Sequence, residues 1–201
     1  MMKRLNKIIF YIFILTFFSG CPGNRQENYE LNTPENVQAS PAPTPIPTPV
    51  NNNQIGSYTT NLYDKNENRI SNISTAAEDL NHTVLEPGEI FSFNETLGRR
   101  TEEKGYEEAP IMVQGKKDTG TGGGICQISS TLYNAALSAD MKIVERHRHS
   151  KAVPYVPEGK DATVVYGSKD LKFKNIKDYP VEILIWVNED DIKITLNKKT
   201  D

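Results

Sequence analysis

The chain has 201 residues, and its 26 acidic and 23 basic side chains leave a formal net charge of −3. With no broad basic stripe, that balance excludes a nucleic-acid binder that works by charge. Two cysteines are too few for a disulfide-stapled scaffold, so a core must come from apolar packing.

Lys3, Arg4 and Lys7 precede an apolar run of 11 residues, Ile8 to Phe18. A membrane span needs about 20 apolar residues, so this run reads as a secretory signal. Phe18-Ser19-Gly20-Cys21 places small residues directly before a cysteine and looks like a bacterial lipobox, with Phe18 where leucine is usual. The expectation is a lipoprotein signal peptide over 1–20, cleavage before Cys21 and lipidation of its thiol. Such a protein sits on the extracytoplasmic face of the cell membrane, held by its lipid. An ordinary signal peptide or an uncleaved anchor is the alternative. Residues 21–53 are a proline- and asparagine-rich linker. Pro41-Ala42-Pro43-Thr44-Pro45-Ile46-Pro47-Thr48-Pro49 favours polyproline II, a semi-rigid stalk.

Residues 54–201 make one domain with no internal repeat. Ile55 to Tyr63 reads as a strand. Ile70, Ile73, Ala76, Ala77 and Leu80 follow a helical period, which predicts a helix over 69–83 capped by Ser71 or Asn72. Glu89 to Phe93 reads as a strand, Asn94 to Leu97 as a helical turn, and Ala109 to Val113 as another strand. Gly115 to Gly124 reads as a polar, glycine-rich loop. A helix follows over about 126–139. Beyond it the pattern predicts strands at Lys142–Arg146, Asp161–Tyr166, Leu171–Lys174, Val181–Val187 and Ile192–Leu196. The fold class is α+β, a central helix with a cysteine at its N-terminus packed on an antiparallel sheet.

Gly122-Gly123-Gly124-Ile125-Cys126-Gln127 carries the chemistry. A thiol at a helix N-terminus is biased toward thiolate by unpaired N–H groups and the helix dipole. The glycines are expected to leave the approach to the sulfur open. Backbone amides from Gly124 to Cys126, together with Gln127, are candidate oxyanion donors, and Gly123 and Gly124 candidate substrate contacts. With Cys21 lipidated, Cys126 has no partner within the chain. Downstream, Glu145-Arg146-His147-Arg148-His149-Ser150 carries two of the three histidines. On a strand they share one face, with Arg146 and Arg148 on the other. Asp161 follows twelve residues after His149. A nucleophile, a base and an orienting carboxylate are therefore present: Cys126, His149 or His147, and Asp161. The bland alternatives are a small buried cysteine, solvated histidines and a turn aspartate. Zinc on His147, His149, Cys126 and Asp161 is a further alternative, although the leading reading needs no metal and no cofactor. Glu102, Glu103, Glu107 and Glu108 read as a solvated acidic turn. Arg99-Arg100 is a pair able to clamp a carboxylate, with exposure the simpler account.

Several segments resemble the VanW family. They are Phe91-Ser92-Phe93-Asn94-Glu95-Thr96-Leu97-Gly98, Gly105-Tyr106, Ala109-Pro110, the stretch from Gly122 to Ala136, Glu145 to Ser150, Tyr155-Val156-Pro157, Gly159 to Val164, and Phe173-Lys174-Asn175. The resemblance spans about residues 85–187. It implies a bacterial cell-envelope protein related to an accessory protein of vancomycin-resistance clusters, without specifying a reaction. The order of cysteine, histidine and aspartate is also similar to transglutaminase-like and papain-like thiol folds. The expected function is a surface-anchored thiol hydrolase or transpeptidase. Its partners would be peptidoglycan or its precursors, and the membrane through the lipid. A non-catalytic cell-wall binding module is the alternative.

Overall fold

A computed structural model describes residues 53–113 and 116–200. The expected leader, Cys21 and the proline stalk lie outside the described residues. In chain order the elements are β1 (Gln54–Asn61), α1 (Glu67–Leu80), β2 (Val84–Leu85), β3 (Ile90–Ser92), α2 (Phe93–Leu97), a 3-10 turn (Glu102–Lys104), β4 (Glu108–Val113), β5 (Lys116–Thr121), α3 (Ile125–Ser138), β6 (Lys142–Glu145), β7 (Lys172–Lys174), β8 (Val181–Val187) and β9 (Asp191–Lys198). Three sheets result, ordered β1-β9-β8-β2, β3-β7-β6 and β4-β5, and every ladder is antiparallel. The class is α+β with antiparallel sheets. None of the helices among the described residues is long and apolar enough to cross a membrane.

α3 packs against β1 and β9 of the four-stranded sheet and against β6 of the three-stranded one. Its apolar positions Ile128, Leu132, Ala135 and Ala136 are fully buried. Burying Ile128 and Leu132 contributes about 1.5–3 kcal/mol each. α1 packs on β8 and α3 through Ile73, Ala76, Ala77 and Leu80. β8 alternates as its sequence predicts: Ile183 and Ile185 turn inward while Trp186 is exposed.

The cap of α1 is Asn66, whose side chain accepts from the Arg69 N–H at 3.0 Å, and not Ser71 or Asn72. Asn72 is instead buried and serves as a bracket. It donates to the carbonyls of Glu107 and Gly123 and accepts from the Glu107 N–H. Its long-range partners are invisible to a local reading.

Two further expectations are corrected. The stretch read as a glycine-rich loop contains β5, which pairs with β4 from Glu108↔Thr121 to Val113↔Lys116. Gly120 is tolerated in this strand because the Ile111 side chain fills the space a Cβ would take, at 2.6 Å. Conversely, Asp161–Tyr166 is not a strand. It forms only the isolated bridges His147↔Thr163 and Val165↔Lys169. The backbone of Ala162 is taken by α3 side chains instead: its N–H donates to Ser130 Oγ at 2.9 Å, and its carbonyl accepts from Ser129 Oγ at 2.6 Å.

Helix α3 approaches β1 at Gly56. A Cβ there would lie 2.6 Å from Ala139 Cβ and 2.8 Å from the Ala135 carbonyl oxygen. Gly56→Ala is therefore expected to cost about 1–3 kcal/mol. In urea this appears as a lower midpoint at unchanged slope; a wild-type midpoint would rule out so close a seat for the helix.

Candidate functional site

Cys126 is the second residue of α3, and Gly124 is its N-cap, with φ +107° and no capping side chain. The Ile125 and Gln127 N–H groups turn back onto the carbonyls of Gly122 and Gly124. In a first helical turn the Cys126 N–H has no intrahelical acceptor. The helix dipole adds positive potential at the sulfur.

The glycines do not open the approach to the sulfur; they are tightly seated. A Cβ on Gly123 would lie 2.7 Å from the Pro110 carbonyl oxygen, and one on Gly124 2.9 Å from Ile73 Cγ1. Gly123 and Gly124 thus press the turn between β4 and α1, and this aims the start of α3.

Gln127 turns into the core, 1% exposed. Its Nε2 donates to Thr60 Oγ1 at 3.1 Å and to the Asn61 carbonyl at 3.0 Å, and its Oε1 accepts from Arg69 Nη2 at 2.6 Å. Both amide hydrogens are committed, so Gln127 has no free donor for an oxyanion and serves the junction of α3 with β1.

Asp161, 8% exposed, gathers the other side of the site. Its Oδ2 accepts from the His149 backbone N–H at 2.6 Å and lies 2.7 Å from His149 Nδ1, while its Oδ1 accepts from Arg146 Nη2 at 3.0 Å. Arg146 also donates through Nε to the Asp161 carbonyl and through Nη2 to the Gly159 carbonyl. Its guanidinium lies over the Tyr133 ring on α3, 5.1 Å from the centroid. Arg146 and His149 therefore converge on one carboxylate. They do not take opposite faces of a strand, because β6 ends at Glu145.

His147 goes elsewhere. Its Nε2 lies 2.9 Å from Glu145 Oε1, and that carboxylate also pairs with Lys172 Nζ at 3.1 Å. Of the two histidines, the fold places His149 with Asp161 and gives His147 a different carboxylate.

Cys126 is partly exposed. Its Sγ lies 3.6 Å from Thr163 Oγ1 and 3.7 Å from the Val164 carbonyl oxygen. Burial pushes the thiol pKa up, but hydrogen bonding from the His149 side chain and the Val164 backbone outweighs it and holds the thiol below its ordinary range. Burial likewise pushes the His149 imidazole down, and its interactions with Cys126 and Asp161 outweigh this and raise it. Asp161 is held low, burial being overcome by the His149 N–H and imidazole. All three shifts favour a thiolate–imidazolium pair backed by a carboxylate. With Nδ1 committed to Asp161, Nε2 is the ring nitrogen left for the sulfur.

Local patterns gave no role to Thr163, Arg146 or Tyr155, all of which belong to this site. The Tyr155 hydroxyl is pushed strongly up by burial and then by the charge of Cys126. Among the described residues no three His, Cys, Asp or Glu side chains cluster to hold a metal ion, and His147, one member of the zinc alternative, lies against Glu145.

Residues 68–197 match the VanW family model, described as VanW like protein. The chain belongs to the VanW family. It is 46% identical over 134 residues to the uncharacterized protein YoaR of Bacillus subtilis, covering 67% of this chain and 44% of that protein. It is 36% identical over 135 residues to the vancomycin B-type resistance protein VanW of Enterococcus faecalis, covering 64% of this chain and 48% of that one. The chain spans about half the length of these relatives or less. No solved structure matches the fold.

A thiol held as thiolate keeps its reactivity below the ordinary cysteine pKa of about 8.5. Alkylation of Cys126 by iodoacetamide, followed by peptide mass spectrometry, is expected to begin its fall with decreasing pH at a lower pH than that of free cysteine. Asp161→Asn is expected to make the rate fall with pH as for free cysteine. A wild-type profile that already tracks free cysteine would remove the ion pair.

Proposed function

We propose that this VanW domain is a cysteine-dependent hydrolase or acyltransferase that acts on amide bonds of cell-wall peptides. The observation that carries the reading is the 2.7 Å contact of His149 Nδ1 with Asp161 Oδ2, and the opposed pKa shifts of Cys126, held down, and His149, raised, support it. The Cys126 thiolate attacks the carbonyl carbon of the scissile amide. The Cys126 N–H, at the first turn of α3, faces the oxyanion that develops. The imidazolium of His149 gives its proton to the leaving amine as the C–N bond breaks, and the acyl group remains as a thioester on Sγ. Neutral His149 then takes a proton from water or from an acceptor amine, whose attack breaks the C–S bond, releases the acyl group and restores the thiolate–imidazolium pair. Asp161 keeps the imidazole in its tautomer throughout. The order of cysteine on a helix, histidine and aspartate supports a papain-like or transglutaminase-like arrangement of these groups.

The wall substrate is supported by one relative's name, a vancomycin B-type resistance protein, and by the lipobox-like Cys21 and proline stalk, which fit a membrane-anchored, extracytoplasmic domain. Full-length protein incubated with purified peptidoglycan is expected to release or newly join stem peptides, detected by mass spectrometry. Cys126→Ala should abolish every new product, and His149→Ala should lower the rate by at least about 10²-fold. Identical products from Cys126→Ala would remove the thiol mechanism, and a wild type that binds peptidoglycan but yields no product would leave a binding module.

A further inference from the structure

Arg100, like Arg69, is a cation drawn out of water whose hydrogen-bond acceptors are all neutral, but Arg69 is spent on the core amide of Gln127. Arg100 follows Gly98, the C-cap of α2, and is partly buried rather than exposed. Its Nη1 donates to Asn94 Oδ1 at 2.8 Å and to the Gly98 carbonyl at 2.9 Å. Its guanidinium carbon lies 5.6 Å from the Phe93 ring centroid. Its Cβ rests on the glycine turn before α3, where a Cβ on Gly122 would lie only 3.2 Å away. The guanidinium is thus held from three sides, yet both of its acceptors are neutral.

Among the described residues no carboxylate lies within ion-pair distance of Arg100, whereas Arg146 has Asp161 at 3.0 Å. Cations taken out of water are ordinarily paired. Asp170, whose charge Arg100 feels, is already occupied: it accepts from Ser92 Oγ at 2.6 Å, the Asn94 N–H at 2.9 Å and the Leu171 N–H at 2.8 Å. Asn94 and Gly98, which hold Arg100, line an open cleft of about 580 Å³ whose walls also carry charges of both signs, Lys169 and Lys172 beside Glu95 and Glu145. The Cβ of Arg100 packs on Gly122, in the turn that leads into α3 and Cys126, while its Nη1 holds Asn94 and Gly98, so it joins the turn before the thiol to the wall of the cleft.

We infer that Arg100 is a specificity-determining residue that binds a free carboxylate of the molecule presenting its acyl carbon to Cys126. A planar fork of N–H donors suits a carboxylate, and its fixation by Asn94, Gly98 and Phe93 lowers the ordering cost of binding. The inference rests on the reactive-thiol reading above and names its substrate class, an acyl compound with a free carboxylate near the scissile bond.

Matched reagents test it on the full-length protein. Iodoacetate is compared with iodoacetamide, and 3-maleimidopropionate with its amide, which gives a short and a long reach. Adducts at Cys126 are followed by peptide mass spectrometry, with free cysteine as reference. For at least one pair, the carboxylate-to-amide rate ratio at Cys126 is expected to exceed that of free cysteine by about tenfold. Arg100→Gln should return the ratio to the free-cysteine value, and Arg100→Lys, which keeps the charge but loses the fork, should lower it part of the way. If Arg100→Gln does not fold, Arg100→Lys carries the test. Comparison by ratio cancels any change in thiolate content. A wild-type ratio equal to that of free cysteine overturns the inference while leaving the reactive thiol in place. So does a drop in Lys169→Gln as large as that in Arg100→Gln, because it marks diffuse cleft charge. If Cys126 takes neither reagent in the folded protein, the reactive-thiol reading fails and the inference falls with it.

Discussion

The Asp161 carboxylate is the joint on which the site depends. It sits nearly out of water and receives the His149 backbone N–H, the His149 ring and the Arg146 guanidinium. Removing it would leave a cation and two donors without their acceptor, a loss on the order of 3–5 kcal/mol for a buried pair. Arg146 in turn lies over Tyr133 of α3. One carboxylate therefore ties the segment after β6 to the helix that carries the thiol, and it sets the imidazole at the same time. Structure and chemistry draw on the same contacts here.

The second constraint is steric. Gly123 and Gly124 are clamped between β4 and α1, and Asn72 brackets the same turn from the α1 side. The direction of α3 is thus decided by close backbone approach, and the thiol inherits its position from that. The polar seam behind it, from Arg69 through Gln127 to Thr60 and Thr131, has its hydrogen bonds paired within the core. Such a seam specifies one register of α3 on β1, because a shift would strand several buried polar groups. The thiol and the imidazole are each backed by groups that cannot move cheaply.

The legible parts of the fold were those with strong local periodicity. β8 reads as Val181–Val187 in sequence and in structure, and α1 and α3 differ from their expected limits by a few residues. β5 was missed because its polar, glycine-rich residues carry no strand pattern and only pairing with β4 makes it a strand. Asp161–Tyr166 carries the β-branched pattern of a strand, but Ser129 and Ser130 of α3 take the backbone groups of Ala162. In the site, the types Cys126, His149 and Asp161 were readable. Gln127 was misread as a donor to substrate, because nothing local shows that Arg69, Thr60 and Asn61 already occupy it.

By itself the sequence determined the α+β class, the family signature around Gly122 to Ala136, and the cysteine placed at the start of a helix. These follow from local periodicity and from residue types at fixed spacing. The choice between His147 and His149, the recruitment of Arg146 to Asp161 and the burial of Arg100 were decided by tertiary structure alone. Two residues apart on the chain, the histidines are equivalent to any local rule. They differ only because the fold brings Glu145 to one and Asp161 to the other.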